Sequence, residues 1–421
     1  MKRQFRFILH IGTEKTGTTT LQHQLYHNQR SLQEQGLHYF TSPERVESRT
    51  LAAAAVGDKV GDDYLLRKGM NTPEERQAFR KEVERHFAAT LELLPGSVHT
   101  VIISSEHLHS RLRQPEHLRW LKSLLEPYSR EIQVIVYLRR QVDMAASYYS
   151  TELKNGGVRT LEQAVRHGCR PGNHYFNYQA LLSLWSETFG EHNITPRLFS
   201  PAELLNGDIT ADFLHATDLS ACMLSAVAEY KRYNESLTPF GQVLLRGLNA
   251  SVKCARRLEP NGDIEEFALE LRQQFAGSGE RLDVELATEI QAAFDQSNVT
   301  VCKQWFPERE FLFAPVKAAE CRPPTIKLLN TEQQILVGKI IQYLTATECE
   351  SVLILDPCAN YLRDMALQVE ANDLPLATRL MELASQIRPQ GPFINRKLGE
   401  YRVQSARISQ RIRQWLRRAR L

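Results

Sequence analysis

Residues 5–21 constrain the fold more than any other stretch of the 421-residue chain. Phe5-Arg6-Phe7-Ile8-Leu9-His10-Ile11 is a short apolar run with β-branched residues, the pattern of a buried strand. It ends at Gly12, and Gly12 and Gly17 bracket a loop that carries Lys15 and Thr16. Thr18, Thr19 and Thr20 then open a helical pattern marked by Leu21 and Leu25. A strand, a tight loop and a helix start in that order form an anion cradle. The first N–H groups of a helix lack intrahelical acceptors and point at whatever sits before them. Two glycines let the backbone close around the anion, and Lys15 adds a mobile point charge. The plain alternative is a strand–turn–helix with a capping threonine and no ligand.

The alternation continues down the chain. Apolar, β-branched runs near 38–40, 99–104, 131–138 and 193–198 read as strands. Between them lie helical patterns over 18–35, ending at Gly36, from 72 to about 94, from Pro115, from about Val142 and over 178–189. Thr72-Pro73-Glu74-Glu75 is a capping box with proline at the first helical position. Residues 42–72 are mixed and polar and read as a loop region with a short alanine-rich helix. Strands separated by helices predict a doubly wound, parallel α/β sheet with a P-loop-like phosphate loop. From about 211 onward the pattern is mainly helical, which predicts a helical C-terminal extension.

A second cluster follows the 131–138 strand directly: Arg139-Arg140-Gln141-Val142-Asp143-Met144-Ala145-Ala146-Ser147. Strand C-terminal ends in such sheets are where ligands bind. A guanidinium at the strand end and a hydroxyl eight residues later, on the following helix, can grip one phosphate from two sides. Taken alone, Arg139-Arg140 also reads as a solvated pair.

Lys15-Thr16-Gly17-Thr18-Thr19 resembles the 5′-phosphosulfate loop of the sulfotransferases that use 3′-phosphoadenosine 5′-phosphosulfate (PAPS), and Arg139 with Ser147 resembles their 3′-phosphate motif. The loop departs from that of P-loop NTPases, where Lys and Ser/Thr follow the second glycine. Here Thr18 and Thr19 stand in those places and the lysine lies two residues before Gly17. The resemblance covers residues 5–313, and Asn234-Glu235-Ser236-Leu237 and Gln296-Ser297-Asn298 look like bacterial members of the group. Two departures are Gln141, where the family often has proline, and Ser200-Pro201, where many relatives place an aromatic or acidic residue. The adenine contacts are therefore left unassigned.

The resemblance implies transfer of a sulfuryl group from PAPS to a hydroxyl, or less readily an amine, of a small-molecule or glycan acceptor, without a metal. The co-substrate would be held by Lys15, Thr16, Gly17, Thr18, Thr19, Thr20, Arg139 and Ser147, with Lys15 also neutralising charge on the leaving phosphate. The acceptor must lose a proton, and Ser104-Ser105-Glu106-His107, at the end of a strand, supplies the base. Relatives use either a histidine or a glutamate. Glu106 matches the position best, with His107 as runner-up and a capping carboxylate and a surface histidine as the structural alternatives. A P-loop kinase acting on a nucleotide or small molecule, and a non-catalytic nucleotide-binding scaffold, are the competing functional readings.

Charge and cysteines bound the setting. Net charge is only +3, which argues against bulk nucleic-acid binding. Yet residues 396–421 hold nine Lys/Arg against Glu400, so that segment carries +8 and the remainder −5. Seven scattered cysteines, with no C-x-x-C, argue against a disulfide framework or zinc cluster. With the first strand starting at once and no long apolar run, a cytoplasmic protein is expected, with membrane association at the cytoplasmic face through the basic tail alone. The domain reading is a sulfotransferase-like domain at 1–315, a linker and helix at 316–359, a tetratricopeptide-like helix hairpin at 360–402 and a basic amphipathic tail at 403–421. The tail spaces Ile408, Ile412, Trp415 and Leu416 on one face among arginines. That suits peripheral contact with an anionic membrane or a polyanionic substrate, or packing on the protein itself. The oligomeric state is not legible.

Overall fold

The structure, a computed structural model, describes residues 2–43, 45–57, 62–219, 236–254, 262–324, 327–346 and 350–418, with side chains omitted at 254, 262, 350–352 and 416–418. Asn234 and Glu235 of the segment singled out above, and the side chain of Leu416, lie outside the described residues. The chain divides into two compact units. One comprises Met1–Ala145, Arg166–Lys231 and Glu285–Val316, and the other Ala146–Val165, Arg232–Val284 and Lys317–Leu421. The sequence reading drew its main boundary at 315, whereas this division groups 146–165 and 232–284 with the C-terminal helices.

The first unit is built on five parallel strands: β1 (Phe5–His10), β2 (Leu37–Phe40), β3 (Thr100–Ser104), β4 (Ser129–Leu138) and β5 (Ile194–Leu198). Their order across the sheet is β2-β3-β1-β4-β5. The expected parallel α/β sheet is therefore the fold, with β1 at its centre. Central parallel strands are covered on both faces, and β1 and β3 are buried along nearly their whole length with apolar cores Phe7-Ile8-Leu9 and Val101-Ile102-Ile103. On one face Ile8, Ile102, Ile135 and Tyr137 meet Leu21, Leu25, Leu32 and Phe213 in a single core. On the other, Phe7 stacks on Phe87, with ring centroids 6.1 Å apart, and Phe87 meets Phe40 at 5.1 Å.

Right-handed crossovers require the connection leaving β1 toward β2 to lie on the opposite face from those leaving β3 and β4, which move the other way along the sheet. The loop after β1 therefore opens at a topological switch point, where the connections on either side diverge.

Local signals account for most helix limits. Thr72 and Glu75 cap each other at the start of Pro73–Leu93, with the Glu75 amide 3.2 Å from Thr72 Oγ1 and the Thr72 amide 2.9 Å from Glu75 Oε2. The helix expected over 18–35 is instead two, Thr18–His27 and Gln29–Glu34. Asn28 separates them, and its side-chain amide turns back to the Gln24 carbonyl at 2.8 Å. Short amides compete with the helical ladder in this way.

The second unit is helical among its described residues. Asp356–Val369, Leu374–Ile387 and Pro392–Arg418 pack in succession, with Ala366, Ala377 and Ala384 fully buried where the backbones approach. The tail read as starting at 403 is not a separate element. One helix runs through from Pro392, because nothing after Pro392 breaks it and a single Gly399 is tolerated inside a helix. No described helix is long and apolar enough to cross a membrane.

Candidate functional site

The loop after β1 is fastened to β4. The amides of Ile11 and Thr13 bond the carbonyls of Ile135 and Tyr137 at 3.0 Å, and the Tyr137 amide returns a bond to the Gly12 carbonyl at 2.6 Å. Thr13 Oγ1 bonds the Tyr137 carbonyl at 3.0 Å, and Thr16 Oγ1 bonds the Thr13 carbonyl at 2.5 Å. Both threonines are fully buried, so they hold the loop's shape and do not reach into solvent. Gly12 has φ +97°, and a Cβ there would sit 3.1 Å from Glu106 Cα and 3.2 Å from Glu106 Cβ. Glycine is needed both for the backbone angle and for the close approach of the β3 end. Gly17, at φ +76°, caps the helix Thr18–His27, and no side chain caps that terminus. The positive end of the helix dipole therefore faces the loop, with Thr18 buried and Thr19 and Thr20 half-buried in its first turn.

Lys15 of the first cluster and Arg139 of the second meet here. Arg139, at the exit of β4, donates from Nη1 to the Lys15 carbonyl at 2.8 Å, and its guanidinium carbon lies 5.8 Å from the Phe199 ring centre. Tyr178 donates to the Arg139 carbonyl at 2.5 Å and so pins the strand exit. Burial pulls the Lys15 ammonium below the usual lysine range; Glu14 opposes the shift and the Arg139 charge adds to it. Burial likewise lowers Arg139, against the pull of Asp143. Two cations held in partial burial with loop amides around them make a site that gains by taking an anion. Ser147 lies on the helix Gln141–Lys154, in the part that belongs to the second unit.

Gln141, the departure from the family's proline, is fully buried. It donates to Asn298 Oδ1 at 2.7 Å, accepts from Asn298 Nδ2 at 3.2 Å and accepts from Gln291 Nε2 at 2.8 Å. The polar network supplies stiffness that a proline would otherwise give, and it assigns a structural task to Asn298 of the Gln296-Ser297-Asn298 segment.

The β3 end supplies carboxylates. The Ser105 amide bonds the His10 carbonyl at 3.0 Å, so the residue after β3 is tied to the tip of β1. Glu106 follows, and its Oε2 accepts from Gln22 Nε2 at 2.7 Å. Burial raises the Glu106 carboxyl above the ordinary range; the Gln22 hydrogen bond and the Lys15 charge pull the other way. Glu47 lies beside it, accepting from Ser105 Oγ at 2.6 Å, and burial together with the Glu106 charge pushes Glu47 up to about 7. His107 follows, with Nε2 3.7 Å from Glu47 Oε1. Burial, reinforced by Arg49 and Arg111, drives it down to about 3, so the ring is neutral.

Donor atoms of Glu47, Glu106 and His107 lie within 4.8 Å of one another, a spacing that could hold a cation. The charges of Arg45, Arg49 and Arg111 around the group oppose one, and Ser105 and Gln22 already engage one oxygen of each carboxylate. Sequence reasoning missed Glu47, Gln22 and Phe199. Glu47 sits in a polar loop 58 residues from its partner Ser105, and no local pattern marks such a pair. Gln22 carries a signal in hindsight, since it is one turn into the helix that leaves the loop and is buried.

No family model matches the chain. A search of curated proteins finds an uncharacterized protein of Archaeoglobus fulgidus, 27% identical over 124 residues, which are 29% of this chain and 32% of that one. The chain thus matches about a third of the length of that relative. Among solved structures, a sulfotransferase from Alicyclobacillus acidocaldarius aligns over 63% of this chain and 100% of its own, with a TM-score of 0.32 and 14% identity. At that similarity nothing about the site is carried over, and the functional reading rests on this chain's own residues.

Proposed function

We propose that the chain is a sulfotransferase that moves a sulfuryl group from PAPS to a hydroxyl, or less readily an amine, of an acceptor, a carbohydrate or glycan by resemblance. The observation that supports it best is the hydrogen bond from Arg139 to the Lys15 carbonyl, which joins the turn after β1 to the turn after its neighbour β4. A single nucleotide with phosphates at two ends could then engage both. In this reading Lys15, Thr16, Gly17 and the amides of Thr18, Thr19 and Thr20 hold the 5′ end, and Arg139 with Ser147 holds the 3′-phosphate.

Sulfuryl transfer, like phosphoryl transfer, passes in line through a loose transition state, so the protein's work is positioning and neutralisation. The acceptor O–H gives its proton to the Glu106 carboxylate while its oxygen bonds sulfur. The bond from sulfur to the phosphate oxygen breaks, and its electron pair stays on the phosphate beside Lys15. Glu106 suits the base role better than His107, for two reasons. Its backbone abuts Gly12 of the loop, and burial makes its carboxylate a stronger proton acceptor. His107 is turned toward Glu47 and holds its proton-accepting nitrogens too weakly basic.

Titration calorimetry tests the reading. Adenosine 3′,5′-bisphosphate should bind in EDTA, and Arg139→Ala should weaken that binding roughly 10²-fold, the worth of a charge-assisted phosphate contact. Metal-dependent ATP binding with no bisphosphate signal would make the chain a kinase-type protein and refute the proposal.

A further inference from the structure

The helix Pro392–Arg418 carries one seam, apolar except for Ser405, through residue 415: Ile394, Leu398, Tyr401, then Ser405, Ile408, Ile412 and Trp415, at alternating steps of four and three. The first part of the seam is used up within the second unit. Ile394, Leu398 and Tyr401 are buried, Lys397 pairs with Glu370 at 2.7 Å, and the Tyr401 hydroxyl donates to Glu370 at 2.5 Å. The second part is not. Ile408, Ile412 and Trp415 are 44%, 53% and 67% exposed, and no residue from 402 to 415 is buried.

Charge says what covers it. Residues 403–421 contain six arginines and no acid. At about 100° per residue, Arg407 and Arg411 flank the exposed seam on one side and Arg402 and Arg413 on the other. A second copy would bring a like-charged segment against this one. An anionic surface meets both flanks at once while the seam enters it, and an exposed tryptophan with long, flexible arginines around it is suited to such an interface.

We propose that the C-terminal helix, from Arg402 onward, is a peripheral membrane anchor that lies on anionic phospholipid with Ile408, Ile412 and Trp415 in the headgroup–acyl boundary. It does not depend on the nucleotide reading.

The test is co-sedimentation of the full chain with phosphatidylcholine vesicles, with and without phosphatidylserine at about a third of the lipid, at 0.15 M salt. Binding should require the anionic lipid and weaken as salt rises. Replacing Arg407, Arg411 and Arg413 together by serine should lower partition roughly 100-fold, at about fivefold per arginine. Bromine atoms placed in the acyl chains should quench tryptophan emission, and Trp415→Phe should remove that quenching while vesicle binding persists. Equal binding to neutral vesicles, no binding at all, or binding without acyl-chain quenching overturns the proposal. So does an oligomer in lipid-free buffer that dissociates on Ile412→Ser, which would make the seam a protein interface. All the substituted positions are exposed, so loss of folding does not confound the result.

Discussion

Replacing Glu106 by glutamine keeps the size and removes the charge, which isolates its proposed role as a base. The side chain accepts one hydrogen bond from Gln22 Nε2, at 2.7 Å. A glutamine can present its carbonyl oxygen to the same donor, so the contact survives as a neutral one. The stability change is then the difference between a charged and a neutral hydrogen bond, about 1 kcal/mol. It is offset in part because the substitution removes the repulsion that helps raise Glu47, whose carboxyl should ionise more readily in the variant. The loop should be undisturbed, since the atoms of residue 106 nearest Gly12 are its Cα and Cβ, which do not change.

Catalysis should change far more. A positioned general base contributes about 10²–10⁴-fold, or roughly 3–5 kcal/mol of barrier. The expected outcome is therefore a fall in kcat of that size, with affinity for adenosine 3′,5′-bisphosphate changed less than about threefold. Single-turnover transfer from PAPS gives the first quantity and calorimetry the second. A fall in kcat below tenfold would refute the assignment of the base, and an equal loss in nucleotide affinity would recast Glu106 as a structural support for the loop.

Three further outcomes follow from the same geometry. Gln22→Ala removes the donor that favours the Glu106 anion, so its carboxyl rises further and the acidic limb of the pH–rate profile moves up by roughly one pH unit; an unmoved limb would disconnect Glu106 from the titration seen in turnover. Gly12→Ala meets both a positive φ and a 3.1 Å contact with backbone, costing roughly 2–5 kcal/mol, and should lower the thermal midpoint while weakening bisphosphate binding; a midpoint within a degree of the parent would contradict the packing described. His10, fully buried with Nδ1 2.7 Å from Ser104 Oγ, is held down to about 3 by burial. The unfolded chain takes up a proton below about 6.5 and the folded one does not, so stability present at neutral pH is lost as pH falls from about 6.5 toward 3. At pH 5 that amounts to about 2 kcal/mol at most, and His10→Asn should flatten the fall of the thermal midpoint between pH 7 and 5.

The sheet was legible because its strands are covered on both faces and so are written as unbroken apolar runs such as Val101-Ile102-Ile103. The Thr72–Glu75 cap was legible because both partners lie within one turn. The turn after β1 was legible for the same reason, its glycines, lysine and threonines lying close together in the sequence. What escaped is what the fold brings together from afar. Glu47 reaches Ser105 from a loop with no periodicity, and Gln141, Gln291 and Asn298 form one network from two distant segments. The break at Asn28 escaped because the apolar spacing of Leu21, Leu25 and Leu32 runs straight across it. A side-chain amide bonding its own backbone leaves no mark in that pattern.

The tie between Ser105 and His10, together with the missing side chain at Gly12, has a mechanical consequence. The backbone after β3 is tied to the tip of β1 and lies too close to Gly12 to admit even a methyl group, so the lysine-bearing turn and Glu106 are packed against each other. On the proposed reading, the spacing between Lys15, which would neutralise the departing oxygen, and Glu106, which would take up the proton, is set when the sheet folds.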